Sequence, residues 1–72
     1  MCLAIPGRII EKYDYEARVE VLGITKDINL MLLPDARVGE WVLVHAGFAI
    51  ARTDPEEAEK ILEVIKEVGQ NS

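Results

Sequence analysis

Two side chains in this 72-residue chain stand out as ligands for a soft or borderline metal: the single cysteine, Cys2, and the single histidine, His45. Cys2 follows Met1, and cysteine is small enough for methionine aminopeptidase to remove the methionine ahead of it. The mature chain is then expected to begin with a free α-amine beside a thiol. The amine titrates near pH ~8 and a thiol near ~8.5, and an adjacent ammonium favours the thiolate. A thiolate is a soft donor for iron, zinc or copper(I), and the amine can close a five-membered chelate with it. The competing reading is a small buried hydrophobe, the usual fate of a free cysteine. A chain terminus is usually exposed, which weighs against it.

His45 ends the apolar run that starts at Trp41. In a strand, Trp41, Leu43 and His45 share one face, and Val42, Val44 and Ala46 the other. A lone histidine near a strand end is more often structural than ligating. As a ligand it binds through a neutral imidazole nitrogen. The small Ala46-Gly47 pair after it lets another backbone or a metal centre approach. One thiolate and one imidazole are half a metal site at most. No disulfide, Cys₄ or Cys₂His₂ site is within reach of one cysteine. The remaining donors must come from a partner.

The composition narrows the function. Eight basic against 13 acidic residues give a net charge of −5. That balance opposes the main alternative, a small OB-like nucleic-acid-binding module, which needs a basic face with interleaved aromatics. No resolving cysteine supports a redox enzyme, and no Ser-His-Asp or Cys-His dyad follows from the spacing. A chain of this length is one domain. An enclosed pocket of roughly 300–1,000 Å³ would hollow out most of its thin core. A non-enzymatic role is expected. Half the residues are hydrophobic and 29% charged, a globular mixture. No apolar run approaches the ~20 residues of a membrane span, and no secretory signal opens the chain. The expected location is the cytoplasm, where a lone thiol stays reduced.

The elements that must position Cys2 and His45 divide at Thr53-Asp54-Pro55. Residues 1–53 hold 6 basic and 7 acidic residues; residues 54–72 hold 2 and 6. Before the break the period is that of strands. Ala17, Val19 and Val21 alternate with Arg18 and Glu20. Ile24, Ile28, Leu30 and Leu32 fall on one face, with Lys26 as the exception. Ahead of Ile9 and Ile10, Pro6-Gly7 reads either as a turn that presents the N-terminal segment or as part of a first strand entering the barrel, and Trp41 and Phe48 read as core. Several short strands with Gly and Pro turns predict a small closed barrel over residues 1–53. After the break Ala58, Ile61, Leu62, Ile65 and Val68 follow the helical period, with Val64 flanking. Asp54 caps, Pro55 opens the helix and Gly69 ends it. The spacing predicts an amphipathic helix over 54–69, packed on the barrel as part of the same domain, and a disordered tail over 70–72.

Two blocks carry a resemblance. Met1-Cys2-Leu3-Ala4-Ile5-Pro6-Gly7 resembles the N-terminal signature of the HypC/HupF hydrogenase maturation chaperones. Val38-Gly39-Glu40-Trp41-Val42-Leu43-Val44-His45-Ala46-Gly47-Phe48-Ala49-Ile50 resembles their second block, and the acidic helix from Asp54-Pro55 is similar to their C-terminal helix. Glu40 stands where the family usually has Asp, and Trp41 where Tyr is common; both changes keep the character. The resemblance implies a mainly β chain, a small OB-fold-like β-barrel with a C-terminal α-helix. It implies a scaffold that helps assemble and deliver the Fe(CN)₂CO part of the [NiFe]-hydrogenase centre. The implied partners are HypD, the hydrogenase large-subunit precursor and, through the complex with HypD, HypE; no nucleic acid or membrane is implied. Cys2 would be needed for binding those partners and would help hold the iron. His45 is implied beside it, with Pro6, Gly7 and Gly47 as supporting motif residues. The iron is then a transient cargo held jointly with a partner, with none expected to stay tightly bound to the isolated chain.

Overall fold

In the computed structural model the backbone is described for residues 4–71 and the side chains for residues 4–65. Cys2 and Ser72 lie outside the described residues. Five strands precede one helix: β1 (Ile5–Tyr13), β2 (Glu16–Val21), β3 (Ile24–Asn29), β4 (Trp41–His45), β5 (Phe48–Thr53) and α1 (Pro55–Asn71). The strands close into a barrel in the order β1-β2-β3-β5-β4, the OB-like arrangement expected. β1 is long enough to serve two walls. Its start pairs with β4, as Ile5↔Val44, Pro6↔Leu43, Gly7↔Val42 and Arg8↔Trp41. The rest pairs with β2, across an irregularity between Ile9 and Glu11. Such a bulge bends a strand, and that bend carries β1 from one neighbour to the other. β3 and β5 meet in parallel at one pair, Asn29↔Phe48. The barrel is thus closed by a narrow seam.

The inward residues are Ile9, Ala17, Val19, Ile28, Leu30, Ala36, Val42 and Ala49. The alternation predicted for β2 holds, with Ala17 and Val19 buried. Three expectations change. Ile24 and Leu32 are exposed, although Ile28 and Leu30 between them are buried. The Val21↔Ile24 pair sits at the β2–β3 turn, where the core face runs out of the barrel, and Leu32 follows the end of β3, where the period of two no longer applies. Phe48 is exposed rather than core, because its neighbour Ala49 takes the inward position. Trp41 is only half-buried for the same reason, since Val42 beside it faces in.

Pro6-Gly7 is not a turn. Both residues are buried inside β1. Proline is tolerated there because the β2 ladder begins only at Arg8↔Glu20, so no β2 bond needs the missing N–H. Gly7 sits where there is little room for a side chain. A Cβ at this position would lie 3.1 Å from Val21 Cγ2 and 3.2 Å from Val19 Cβ.

The segment between β3 and β4 is clasped to the barrel. Lys12 Nζ donates to the Pro34 and Ala36 carbonyls, each at 2.8 Å. Ile9 N–H donates to Glu40 C=O at 3.0 Å, and Gly39 N–H to Ile9 C=O at 2.8 Å. Arg52 Nε donates to Glu40 Oε2 at 2.7 Å, and its guanidinium lies 3.2 Å from Asp35. Glu40 Oε1 accepts the Arg37 N–H at 2.7 Å. The Arg52 hydrogen bond first, and the Arg37 N–H second, hold the Glu40 carboxyl below its usual range. A backbone N–H, then Arg52, do the same for Asp35. Depressed carboxylates contribute stability that is complete above the ordinary carboxylate range and lost as the pH falls below it. Wild-type urea midpoints should therefore decline between about pH 5 and pH 3, and Glu40→Gln should make that decline shallower. An unchanged acid limb in Glu40→Gln would show that the clasp is not coupled to folding.

Pro55 opens α1, and Ala58 N–H donates to Asp54 C=O at 2.9 Å. Ala58 is buried, Ile61, Leu62 and Ile65 are half-buried, and Val64 is exposed. This stripe packs on β1. The helix does not stop at Gly69 but continues to Asn71, so residues 70 and 71 are helical rather than tail. A glycine inside a helix costs about 1 kcal/mol relative to alanine, too little to end it without a following stop signal.

Candidate functional site

His45 is the last residue of β4 and is exposed. Val42 is fully buried, which sets Trp41, Leu43 and His45 on the outward side of the strand. The chain then reverses at Ala46-Gly47, with φ of 51° and 85°. Two successive positive φ angles make the tight turn that matches strand twist, and glycine takes the second at no steric cost. Gly47 C=O accepts the Asn29 N–H at 2.8 Å, which ties the turn to β3. Across the turn His45 stands opposite Phe48, and Phe48 in turn faces Asn29. His45 thus sits on a fixed rim.

The N-terminal block reaches the same rim through the register. Ile5 pairs with Val44, so Ala4, just before β1, and His45, the last residue of β4, come next toward the same end of the barrel. Cys2 precedes Ala4 by two residues, about 7 Å of fully extended chain. Its thiol lies outside the described residues, but its covalent root is at the end of β4 that carries His45. Pro6 and Gly7 hold that root by being buried in the wall, and Gly47 holds the turn. Among the described residues no three His, Cys, Asp or Glu side chains gather into a metal site.

An open cleft of about 460 Å³ lies elsewhere, between Trp41 and the start of α1. Its cation, Arg52, is already paired with Glu40 and Asp35. A residue whose place only the pairing explains is Lys26. It pairs with the buried Val19 and so sits on the core-facing side of β3. Its signal in the sequence was the break in the apolar alternation. Among the described residues, no helix is long and apolar enough to cross a membrane.

Residues 1–65 match the HupF/HypC family. The chain is 48% identical over 69 residues to the hydrogenase maturation factor HypC of Cupriavidus necator, covering 94% of this chain and 77% of that protein. It is 44% identical over 68 residues to HypC of Rhizobium leguminosarum bv. viciae, covering 93% and 91%. To the hydrogenase maturation factor HybG of Escherichia coli it is 37% identical over 75 residues, covering 94% and 92%. With the match running from the Cys2 block through every strand of the barrel and into α1, the chain belongs to the HupF/HypC family.

Proposed function

We propose that the protein is a cytoplasmic, non-enzymatic chaperone of hydrogenase maturation that presents Cys2 and His45 together as half of an iron-binding shell. The observation that supports this most is the β1–β4 register, which roots the N-terminal block beside the end of β4. The names of its relatives point the same way. On this reading the iron is cargo, carried as Fe(CN)₂CO. Cyanide and CO are strong-field ligands for low-spin iron(II), and a thiolate donor is compatible with them. HypD and the large-subunit precursor complete the shell in turn, and HypE is reached through HypD. The chemistry that builds the ligands belongs to those partners. Affinity purification from native cytoplasm, with mass spectrometry of partners and metal analysis, tests the reading. Recovery of HypD or a hydrogenase large subunit with iron is expected; nucleic acid as the principal companion would overturn it.

His45→Ala separates a functional histidine from a structural one. The residue is exposed, and removal of an exposed side chain usually changes stability by no more than about 0.5 kcal/mol. Partner binding is expected to fall while the denaturation midpoint barely moves. A variant destabilised by about 1–3 kcal/mol that binds its partner with wild-type affinity would make His45 structural.

A further inference from the structure

The end of the barrel where β1 begins and β4 ends carries an apolar recess of about 320 Å³. Ile5, Val19, Val21, Ile28, Val44 and Ala46 line it. Its floor is the core itself: Val19 is completely buried, and Val21 and Val44 pack on the core while staying partly open. β1 supplies one wall. Ile9 is buried, and a Cβ on Gly7 would meet Val19 and Val21, so these two residues face inward. Ile5, two residues earlier, continues the inward side into the recess, yet it is 38% exposed. The apolar stripe of β1 thus reaches the mouth of the barrel before it is covered. Leu3 is the next residue of the same period of two.

We propose that this recess is the seat of the chain's own Leu3 side chain, and that Leu3 thereby fixes the N-terminal segment to the barrel. The length of the segment argues for this occupant. The ladder with β4 ends at Ile5↔Val44, and the chain bends at Ala4. The Cα of residue 3 is then no more than about 7 Å from that of Ile5, and Ile5 itself lines the recess. A group tethered so closely is present at an effective concentration of the order of millimolar, an advantage over any separate molecule. Its chemistry fits as well, since seating an aliphatic side chain on Val21, Ile28 and Val44 removes both surfaces from water. Anchorage at residue 3 leaves residue 2 one peptide, about 3.8 Å between Cα atoms, from a fixed point. That consequence rests on the reading above in which Cys2 engages the partner, and it makes Leu3 a positioning residue. The competing occupant is a second copy of the chain. β3 meets β5 only at Asn29, and the unpaired edge beside the recess offers a place for another strand to add.

Two measurements decide the matter. The first is NMR of the isolated full chain with methyl-labelled Leu, Ile and Val. Nuclear Overhauser contacts from the Leu3 methyl groups to those of Val21, Ile28 or Val44 are expected, unchanged on dilution. Leu3→Ser should remove them, move the resonances of Val21, Ile28, Val44 and Ala46 most, and lower the heteronuclear Overhauser effect at residues 3 and 4; Leu3→Met should preserve that order. Absence of the contacts, or an arm equally ordered in Leu3→Ser, overturns the proposal. Contacts that vanish on dilution overturn it as well and give the recess to a second copy. The second measurement is partner affinity. Leu3→Ser should weaken it by about tenfold, the cost of an arm no longer preorganised, with Leu3→Met close to wild type. Wild-type affinity in Leu3→Ser overturns the positioning role. Wild-type affinity in Cys2→Ala removes the carrier reading and the positioning role with it, while the Leu3 contacts in the isolated chain would still establish the seat, so the two failures are distinguishable.

Discussion

Cys2→Ala is expected to abolish partner binding and hydrogenase maturation while leaving the melting temperature within about 4 °C of wild type. β1 starts at Ile5, and among the described residues none of the buried ones precedes Pro6. What the substitution removes is the soft donor, and neither His45 nor a carboxylate replaces it for low-spin iron. The same logic requires the terminal amine. The intact mass of native protein in its partner complex should correspond to a chain beginning at Cys2, and a retained Met1 there would end the chelate idea. Full maturation by Cys2→Ala would remove Cys2 from the mechanism, and a large drop in its melting temperature would make Cys2 a packing residue.

Gly7→Ala should act in the opposite way, through the fold. The added methyl group lies 3.1–3.2 Å from Val21 Cγ2 and from the Cβ and Cγ2 of Val19. Val19 is completely buried, so any shift that admits the methyl group disturbs its packing. Overpacking of this kind costs about 1–3 kcal/mol, or about 4–8 °C of melting temperature per kcal/mol in a domain of this size. Gly7→Val should be worse. The damage falls where β1 pairs with β4, so the N-terminal root loosens and partner binding declines together with stability. Urea unfolding and partner affinity on one variant check both. A Gly7→Ala midpoint equal to wild type would show that the two valines yield, and that Gly7 is not required for its size. Cys2→Ala and Gly7→Ala together thus separate the residue proposed to do the chemistry from one that packs the wall.

Much of the local structure was legible from side-chain order. The Ala17-Val19-Val21 alternation, the helical stripe from Ala58 to Ile65 and the Pro55 start depend on neighbours one to four positions away, and each appears as expected. Cys2 and His45 stood out as candidate ligands by type alone, because no other thiol or imidazole exists in the chain. The tertiary structure decided what those residues stand beside. A period of two sorts a strand into two faces, but it does not say which strand lies next to it or where the barrel ends. For that reason Pro6-Gly7 stood open between a turn and a first strand until its pairing with β4 decided for the strand, and Phe48 reads as core although Ala49 takes the inward place. Lys26 looked like an irregularity until Val19 opposite it set it at the barrel mouth. The root of Cys2 beside His45 is likewise a consequence of Ile5 pairing with Val44, a contact between residues at opposite ends of the barrel sequence. Such a pairing arises only when the whole chain closes, because its hydrogen bonds and buried faces are shared between distant segments and written in neither alone.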